Sequence, residues 1–379
     1  MKVFRDMKKS ADCLIIGAGL IGMLTARELA RAGLRVLLLD RGRAGGESSW
    51  AGGGILSPLY PWRCHAPVTE LVRWSQRRYP ALADALFSAT GVDPQWTASG
   101  LLILEQGEAD EALAWARLHD VEMEKVDAAA CLRLEPALGS APEGGLWLPG
   151  VAQIRNPRLI AALKDDLGRL GVLLHEHEEV RELHRENGRV VGARTRGGMV
   201  IEVPRIVIAG GAWSSALLQH LGIDLRVFPV RGQMLLFRGV PGMLRRIVLA
   251  HGHYAIPRRD GHILVGSSVE EAGFDKAVTA DVRDELLAAA RALVPALADC
   301  PLVRHWAGLR PGSRSGLPVI GPVPGIEGLY LNTGHFRNGV VLGPASARLL
   351  ADLILARTPV VEPAPFAVAH QAEFAADFL

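Results

Sequence analysis

The chain of 379 residues is poor in cysteine and has no long apolar run. Its four cysteines, Cys13, Cys64, Cys131 and Cys300, are far apart and form no C-x-x-C pair, so neither a disulfide framework nor a cysteine-based zinc site is indicated. No stretch approaches the roughly 20 apolar residues that a membrane-spanning helix requires. The net charge of +2 gives no reason to expect nucleic acid or an anionic membrane as a partner. We therefore expect a reduced, cytoplasmic protein.

The beginning of the chain imitates a secretion signal. Basic residues up to Lys9 precede the apolar run CLIIGAGLIGMLTA, which has about the length of a signal core. However, this run contains glycines at the spacing of a dinucleotide-binding loop and continues into the charged segment ARELARAG. No small-residue cleavage site follows it cleanly. The sequence therefore favours a cytoplasmic protein that is not exported.

The same run opens a β-α-β unit. Residues 12–16 form a short apolar segment typical of a buried strand, 20–32 have helical periodicity that ends at Gly33, and 35–40 (RVLLLD) indicate a second buried strand. A strand, a glycine loop, a helix and a strand in this order begin a doubly wound parallel sheet. The sequence thus predicts an α/β fold with a Rossmann-like domain.

The glycine loop of this unit matches the dinucleotide fingerprint. Its residues are Gly17, Ala18, Gly19, Leu20, Ile21 and Gly22. The first glycine permits a tight turn, the second lets backbone N–H groups approach a pyrophosphate, and the third allows close helix–strand packing. Asp40 ends the second strand, where its carboxylate can accept hydrogen bonds from a ribose. The next residue, Arg41, could indicate a 2′-phosphate, but an arginine in this place is more often a surface residue.

The fingerprint alone does not distinguish a flavin dinucleotide from a nicotinamide one. Two other segments favour flavin: the glycine-rich stretch 45–54, and the loop GHFRNG, which enters a helix near the far end of the chain. A flavin ring gains negative charge near N1 and O2 when it is reduced, and N–H groups at a helix start stabilise such charge. We expect this late helix start to face the first glycine loop, with a flavin between them.

The remaining pattern predicts two interleaved domains. From 227 to 268 apolar and polar residues alternate, with a hairpin turn at Asp260-Gly261, which indicates antiparallel sheet. Helix–strand patterns precede and follow this region. We assign 1–90, 146–220 and 306–379 to the FAD-binding domain, and 91–145 and 221–305 to an antiparallel-sheet α+β substrate domain.

Several motifs together resemble one family. GAGLIG, ESSWAGGGI, GAWS, HYAIPRRDGHILVGSS, WAGLRPGS and GHFRNGVVL are similar to segments of the FAD-dependent D-amino-acid oxidase superfamily, and within it to the glycine-oxidising members. The likeness covers about residues 12–354. WAGLRPGS lacks the cysteine that tethers FAD in some relatives similar to sarcosine oxidase. The resemblance therefore implies non-covalent FAD.

The resemblance also implies roles for individual residues. FAD is expected to contact three parts of the chain: the first glycine motif with Asp40 and Arg41, the second glycine segment with Val180, and the late helix start. Beyond the first motif these residues are Ser48, Ser49, Gly53, Gly54, Ile55, Val180, His335, Phe336, Arg337, Asn338, Gly339, Val340 and Val341. Arg310 and Arg337 are expected to bind the substrate carboxylate, and Tyr254 to add a hydrogen bond.

The arginine assignments also make chemical sense. A guanidinium fork matches a carboxylate bidentately and stays charged at any working pH. Arg310 precedes a proline and Arg337 lies in a glycine loop, so neither has the setting of an ion pair on a helix surface. A structural salt bridge is the alternative for each arginine, and Tyr254 by itself is an ordinary strand residue that only the resemblance distinguishes.

The activity that follows from the resemblance is an FAD-dependent oxidase. Glycine and other small amines with a carboxylate, such as sarcosine and small D-amino acids, would transfer hydride to flavin N5, giving an imine, ammonia after hydrolysis, and hydrogen peroxide from oxygen. The imine is expected to supply thiamine thiazole synthesis, and the enzyme to be a homo-oligomer. Three alternatives stay open: a dehydrogenase that passes electrons to a quinone or partner subunit, a nicotinamide enzyme, and a non-catalytic flavin sensor.

No metal site is predicted. His251 and His253 are placed on one face of a strand, as are His175 and His177, so that either pair could begin a metal site. No third ligand is apparent for either pair, and histidines on strands are usually solvated or hydrogen-bonded.

Overall fold

The computed structural model describes residues 11–139 and 142–372. The basic residues up to Lys9 lie outside this part of the chain. The strands are β1 (Cys13–Ile16), β2 (Val36–Leu39), β3 (Thr97–Ala98), β4 (Leu101–Ile103), β5 (Glu124–Asp127), β6 (Gly144–Leu148), β7 (Ala152–Gln153), β8 (Leu173–His175), β9 (Val180–Glu186), β10 (Arg189–Thr195), β11 (Val200–Glu202), β12 (Ile206–Ile208), β13 (Val227–Arg238), β14 (Ile247–Ala250), β15 (His253–Pro257), β16 (His262–Gly266), β17 (Leu302–Ser313), β18 (Val319–Pro322) and β19 (Leu329–Thr333). The α-helices are α1 (Leu20–Arg31), α2 (Ser48–Ala51), α3 (Ala66–Thr90), α4 (Ala109–Leu118), α5 (Ala128–Leu134), α6 (Asn156–Arg169), α7 (Ser214–Leu218), α8 (Ala280–Leu293) and α9 (Gly339–Ile354).

A six-stranded sheet joins the two ends of the chain. Its order is β18-β19-β12-β1-β2-β8, and all neighbours are parallel except the edge pair of β18 and β19. Residues of β1, β2 and β12 are buried without alternation, as expected for strands covered on both faces. Helices α1 and α9 pack closely, since a methyl group on Gly343 would lie 2.8 Å from Leu24. The predicted doubly wound α/β fold is confirmed.

An eight-stranded sheet, in the order β17-β13-β16-β15-β14-β4-β6-β5, forms the other large layer. It is antiparallel except where β4 and β14 run together. The long strands β13 and β17 pair over most of their length, with Val230 opposite Arg310 and Gly232 opposite Gly308. The boundary that we placed at 306 falls inside β17. Because this whole strand belongs to the larger sheet, we propose to place the boundary after Ser313.

Three segments differ from what their sequence patterns predict. The composition of the glycine-rich segment that follows β2 predicts irregular structure, but Ser48–Ala51 forms a helical turn. The run 172–184 has the pattern of one strand, but it breaks between β8 and β9, where His177 has a positive φ of 61°. The run 199–213 also has the pattern of one strand, but it divides into β11 and β12, which belong to different sheets.

We searched the helices of the described residues for membrane spans. None of them has both the length and the apolar composition that crossing a bilayer requires.

Candidate active site

A cavity of about 860 Å³ is lined by residues of both large sheets. It is lined by nearly all of the residues predicted to bind a cofactor or substrate: Gly17, Gly19, Leu20, Ile21, Asp40, Arg41, Ser48, Ser49, Gly53, Gly54, Ile55, Val180, Tyr254, Arg310, His335, Phe336, Arg337, Asn338, Gly339 and Val340. Two predicted residues are not in its lining. Gly22 lies beneath Gly17, and Val341 is buried in the core around α9.

The first glycine loop forms one end of the cavity, which we call the nucleotide end. Gly17 has a φ of +107°, and a methyl group there would lie 2.4 Å from the carbonyl oxygen of Ala209. A methyl group on Gly22 would lie 1.8 Å from the carbonyl oxygen of Gly17. Both glycines are therefore required by close backbone approach, as the fingerprint predicts.

Asp40 ties this loop to the end of β2. Its carboxylate accepts hydrogen bonds from the backbone N–H groups of Ala18, at 2.7 Å, and Gly42, at 2.8 Å. Burial raises the pKa of Asp40 above its usual value, although these two bonds oppose that shift. Since a carboxylate offers about four acceptor positions, it retains capacity for ribose hydroxyls.

Arg41 is an exposed residue that also takes part in an aromatic stack. Its guanidinium lies 3.7 Å from the ring centroid of Trp213, and Phe274 stacks on Trp213 at 5.4 Å. Glu47 is 3.7 Å from the same guanidinium. Phe274 comes from the loop between β16 and α8, so this stack joins the nucleotide end to the other layer.

The second glycine segment is held by three polar side chains. The Oγ atom of Ser49 accepts a hydrogen bond from the N–H of Leu20 at the start of α1. Asn156 donates to the carbonyl oxygen of Ser49 at 2.9 Å. Arg258, which is buried, donates to the carbonyl oxygens of Gly53, at 2.7 Å, and Ile154, at 3.3 Å.

Sequence reasoning missed both Asn156 and Arg258. The sequence pattern around Asn156 indicates only a helix start, and that around Arg258 only a hairpin. Desolvation lowers the pKa of Arg258 to about 10, so it is still charged at neutral pH. Within the described residues it makes no salt bridge; Gln153 and two carbonyl groups accept its hydrogen bonds. Its double arginine sequence, Arg258-Arg259, is the one signal that could have suggested it.

The start of α9 borders the same cavity as the first glycine loop. Gly339 and Val340 line the cavity, and no side chain caps this helix start. The N–H groups of a helix's first turn lack intrahelical partners and carry partial positive charge. His335 lies just before this turn, hydrogen-bonded to Ser346 at 3.0 Å, and burial lowers its pKa to about 3. It is therefore neutral at ordinary pH.

At the opposite end, which we call the carboxylate end, Arg310 lies flat against strand β13. Its guanidinium donates to Oγ of Ser267 at 2.7 Å and to the carbonyl oxygen of Ser268 at 3.1 Å. A methyl group on Gly232 would lie only 2.1 Å from this guanidinium. The register of β13 and β17 thus places a glycine where the arginine needs space.

Arg337 and Tyr254 complete the carboxylate end. Burial lowers the pKa of Arg310, and the nearby positive charge of Arg337 lowers it further. Partial burial also lowers the pKa of Arg337, an exposed residue of the cavity lining. The Tyr254 hydroxyl lies close to the Cα of Gly53, where an added methyl group would be 3.4 Å away.

Neither arginine is neutralised by a carboxylate. Among the residues that the structure describes, no aspartate or glutamate lies within salt-bridge distance of Arg310 or Arg337. Glu270, whose charge acts on Arg310, pairs with Arg231 at 2.7 Å. Two guanidinium groups that share a cavity wall without counterions favour an anionic ligand.

Two tryptophans in or close to the second glycine segment have structural contacts. Trp50 packs edge-on against Trp306 at 5.6 Å, and Trp62 donates to Glu108. Cys64 lines the cavity, but burial raises the pKa of its thiol to about 11, so it is protonated at neutral pH.

The histidine pairs do not share strand faces as expected. His251 lies in the turn before β15 with a φ of 49°, and His177 follows β8 with a φ of 61°. Over residues 11–139 and 142–372, no group of three or more potential ligand side chains is placed to hold a metal ion.

The cavity has the chemistry that a flavin dinucleotide requires. Backbone N–H groups and glycines that tolerate no Cβ line the nucleotide end, an uncapped helix start faces its middle, and two unneutralised arginines lie at the carboxylate end. Its volume is within the range of small-molecule sites.

The chain is similar to known proteins along almost its whole length. The family described as FAD dependent oxidoreductase matches residues 12–353. Glycine oxidase of Pseudomonas aeruginosa is 52% identical over 361 residues, which are 95% of this chain and 99% of that protein. The bifunctional protein ThiO/ThiG of Synechocystis is 32% identical over 92% of this chain but only 52% of its own length. The crystal structure of glycine oxidase from Geobacillus kaustophilus superposes with a TM-score of 0.90 at 31% identity, covering 95% of this chain and 98% of that one.

Proposed function

The chain belongs to the family of FAD-dependent oxidoreductases, and from this premise we propose that it oxidises glycine and other small amines that carry a carboxylate. Its cofactor is FAD. The observation that supports the substrate class is the pair of unneutralised guanidinium groups, Arg310 and Arg337, beside Tyr254 in the cavity. The 52% identity to a glycine oxidase along almost the whole chain supports glycine as one substrate.

The protein's own part in the reaction is positioning. Bound FAD supplies the hydride acceptor, N5, and the capacity to pass electrons onward. Arg310 and Arg337 bind the substrate carboxylate, and Tyr254 donates a hydrogen bond to it, which fixes the orientation of the α-carbon. The start of α9 stabilises negative charge at the middle of the cavity. No side chain of the described residues needs to act as a general base if the amine binds in its neutral form.

The carboxylate assignment is tested by replacing Arg310. Arg310→Ala should raise the KM for glycine about 100-fold or more while FAD stays bound, because a charge-assisted bidentate contact is lost. The measurement is the steady-state rate of glycine oxidation at a series of glycine concentrations, with the flavin absorption band recorded to check that FAD is bound. The preference for glycine over methylamine, which has no carboxylate, should fall by a similar factor.

A matched control is available on the same strand. Arg304 is exposed and stacks on Trp50 at 4.6 Å, outside the cavity lining. Arg304→Ala should leave the KM for glycine near its wild-type value. If Arg310→Ala oxidises glycine with unaltered KM, the carboxylate assignment is wrong.

We also propose oxygen as the electron acceptor, and non-covalent attachment of FAD. The molar ratio of peroxide formed to glycine consumed should be close to one. An artificial quinone-type acceptor should add little to the rate of glycine oxidation. A rate that depends on the artificial acceptor would instead support a dehydrogenase. Acid precipitation should release the yellow flavin into the supernatant, since the one cysteine in the cavity lining, Cys64, is a protonated thiol.

The fate of the imine and the oligomeric state are further proposals. The chain matches about half of a bifunctional protein whose remainder is a second unit. This fusion, together with the resemblance described above, supports transfer of the imine to a second enzyme, for thiamine thiazole synthesis. A homo-oligomer and a cytoplasmic location are proposed on the resemblance and the composition alone.

A further inference from the structure

Helix α9, whose first turn borders the cavity, contains a proline near its start. Pro344 has no N–H group, so the carbonyl oxygen of Val340, four residues earlier, loses its intrahelical donor. A buried carbonyl group without a partner is costly. The structure supplies a donor from another helix: the hydroxyl of Tyr79 on α3 donates to the carbonyl oxygen of Val340.

A second side chain of α3 bonds the other side of the proline. The backbone N–H of Ala345 donates to Oγ of Ser75 at 3.0 Å. Ser75 and Tyr79 are four residues apart, so they lie on the same face of α3, one turn apart. Both are fully buried. Two side chains of one helix therefore bond backbone groups on both sides of the proline in another.

The bonded carbonyl group belongs to a residue of the cavity wall. Val340 and Gly339 border the cavity, whereas Tyr79 and Ser75 do not. The turn that Tyr79 holds is thus the uncapped turn whose N–H groups face the FAD site. Burial raises the pKa of Tyr79 far above its usual value, so its hydroxyl stays a donor at all working pH values.

We propose that Tyr79 and Ser75 are positioning residues, which hold the first turn of α9 in the orientation in which its N–H groups stabilise the reduced flavin. This inference rests on the proposed function only in that FAD occupies the cavity; it does not depend on which amine is oxidised. Without the Tyr79 bond the turn loses an anchor, and reduced flavin, which carries the extra negative charge, is bound less favourably relative to oxidised flavin.

The test is the redox equilibrium of the bound flavin in the holoenzyme, measured by dye titration without any amine. Tyr79→Phe should lower the ratio of affinities for reduced over oxidised flavin roughly three- to tenfold, the tenfold limit corresponding to about 30 mV for a two-electron couple. Ser75→Ala should shift it in the same direction by less, because Ser75 bonds Ala345, which lies five residues further along α9 than Val340 at the cavity. Tyr330→Phe is the matched control, since the hydroxyl of Tyr330 makes no hydrogen bond within the described part of the chain.

A double-mutant cycle of Tyr79→Phe with Pro344→Ala distinguishes a positioning role of the Tyr79 hydroxyl from a role in packing alone. Alanine at 344 restores an N–H group that can bond the carbonyl oxygen of Val340, so the effect of Tyr79→Phe should shrink at least about twofold in that background. An equal effect with and without the proline would overturn the proposal. So would a Tyr79→Phe protein that is less stable to urea but has the wild-type redox equilibrium.

Two further results bear on the positioning role of Tyr79 and Ser75. If Tyr79→Phe does not fold, Ser75→Ala carries the same test, and an unchanged redox equilibrium in that variant overturns the proposal. If the redox equilibrium shifts as expected but glycine does not bleach the wild-type flavin, the positioning role is supported and the proposed substrate is wrong.

Discussion

At the nucleotide end of the cavity the groups that face a ligand are backbone N–H groups, whereas at the carboxylate end they are the guanidinium groups of Arg310, on β17, and Arg337, in the short turn before α9. The first set is placed by glycines that are close in sequence to the groups they expose, such as Gly17 and Gly22. The position of Arg310 depends instead on the pairing of β13 with β17, which brings Gly232 under it from 78 residues away (310 − 232). A single added methyl group should therefore weaken FAD binding at the nucleotide end and glycine binding at the carboxylate end.

The largest effect is expected at the nucleotide end. Gly22→Ala puts a methyl group 1.8 Å from the carbonyl oxygen of Gly17, and backbone rather than a side chain must move to relieve this clash. We expect FAD binding to weaken about 100-fold, as measured by flavin fluorescence on dilution. Gly168→Ala in α6 is the control, since a methyl group there meets no atom within 4 Å. Normal FAD binding by Gly22→Ala would contradict the close-approach argument.

A glycine-to-alanine change at the carboxylate end should leave FAD binding nearly unchanged. Gly232→Ala places its methyl group 2.1 Å from the Arg310 guanidinium, which must leave its position against β13. The KM for glycine should rise roughly 10- to 100-fold, while the dissociation constant of FAD stays within about twofold of wild type. Steady-state kinetics and an FAD titration on the same preparation measure both. Equal loss of both affinities would mean that the two ends are not independent.

A smaller effect is expected from His335, which lies between the two ends. Its pKa is about 3 in the folded protein because of burial, against about 6.5 when unfolded. The unfolded state therefore binds more protons between these values, so stability falls as pH drops below about 6.5 and is unaffected by this group above that pH. Between pH 7.5 and 5.5 the loss from this residue should be about 1.4 kcal/mol.

Urea unfolding at the two pH values measures this loss. His335→Gln should lack this part of the pH dependence, and His251→Gln, at an exposed turn, should keep it. If the wild type and His335→Gln lose the same free energy of unfolding, His335 is not held neutral by burial.

The comparison of the two ends also explains what could be predicted from the sequence. The glycine loop and Asp40 were predictable because the motif, the helix it opens and the strand that follows lie within about 25 residues, and local spacing specifies them. Arg310 and Tyr254 could be named only through resemblance, since an arginine and a tyrosine on strands have no distinguishing local pattern.

The residues that escaped prediction act over long separations. Arg258 bonds the carbonyl oxygen of Gly53, and Asn156 bonds that of Ser49, more than 100 residues away in each case. The importance of Gly232 can be recognised only when the register of β13 and β17 is known, because that register places it under Arg310. The short helix Ser48–Ala51 is not predicted, because the glycines on either side outweigh the helix propensity of only four residues. In the structure its backbone is fixed by hydrogen bonds from Asn156 on α6 and Trp306 on β17.

The order of strands in the six-stranded sheet also constrains how the protein is made. Strand β1 pairs with β12, which follows some 190 residues later in the chain, and β19, which completes the parallel set, follows about 120 residues after β12. A nascent chain that already carries the whole glycine motif therefore lacks the wall formed by α9 until several hundred further residues have been synthesised. The two walls of the flavin site thus come together only through contacts between segments far apart in the sequence, which are slow to form during folding.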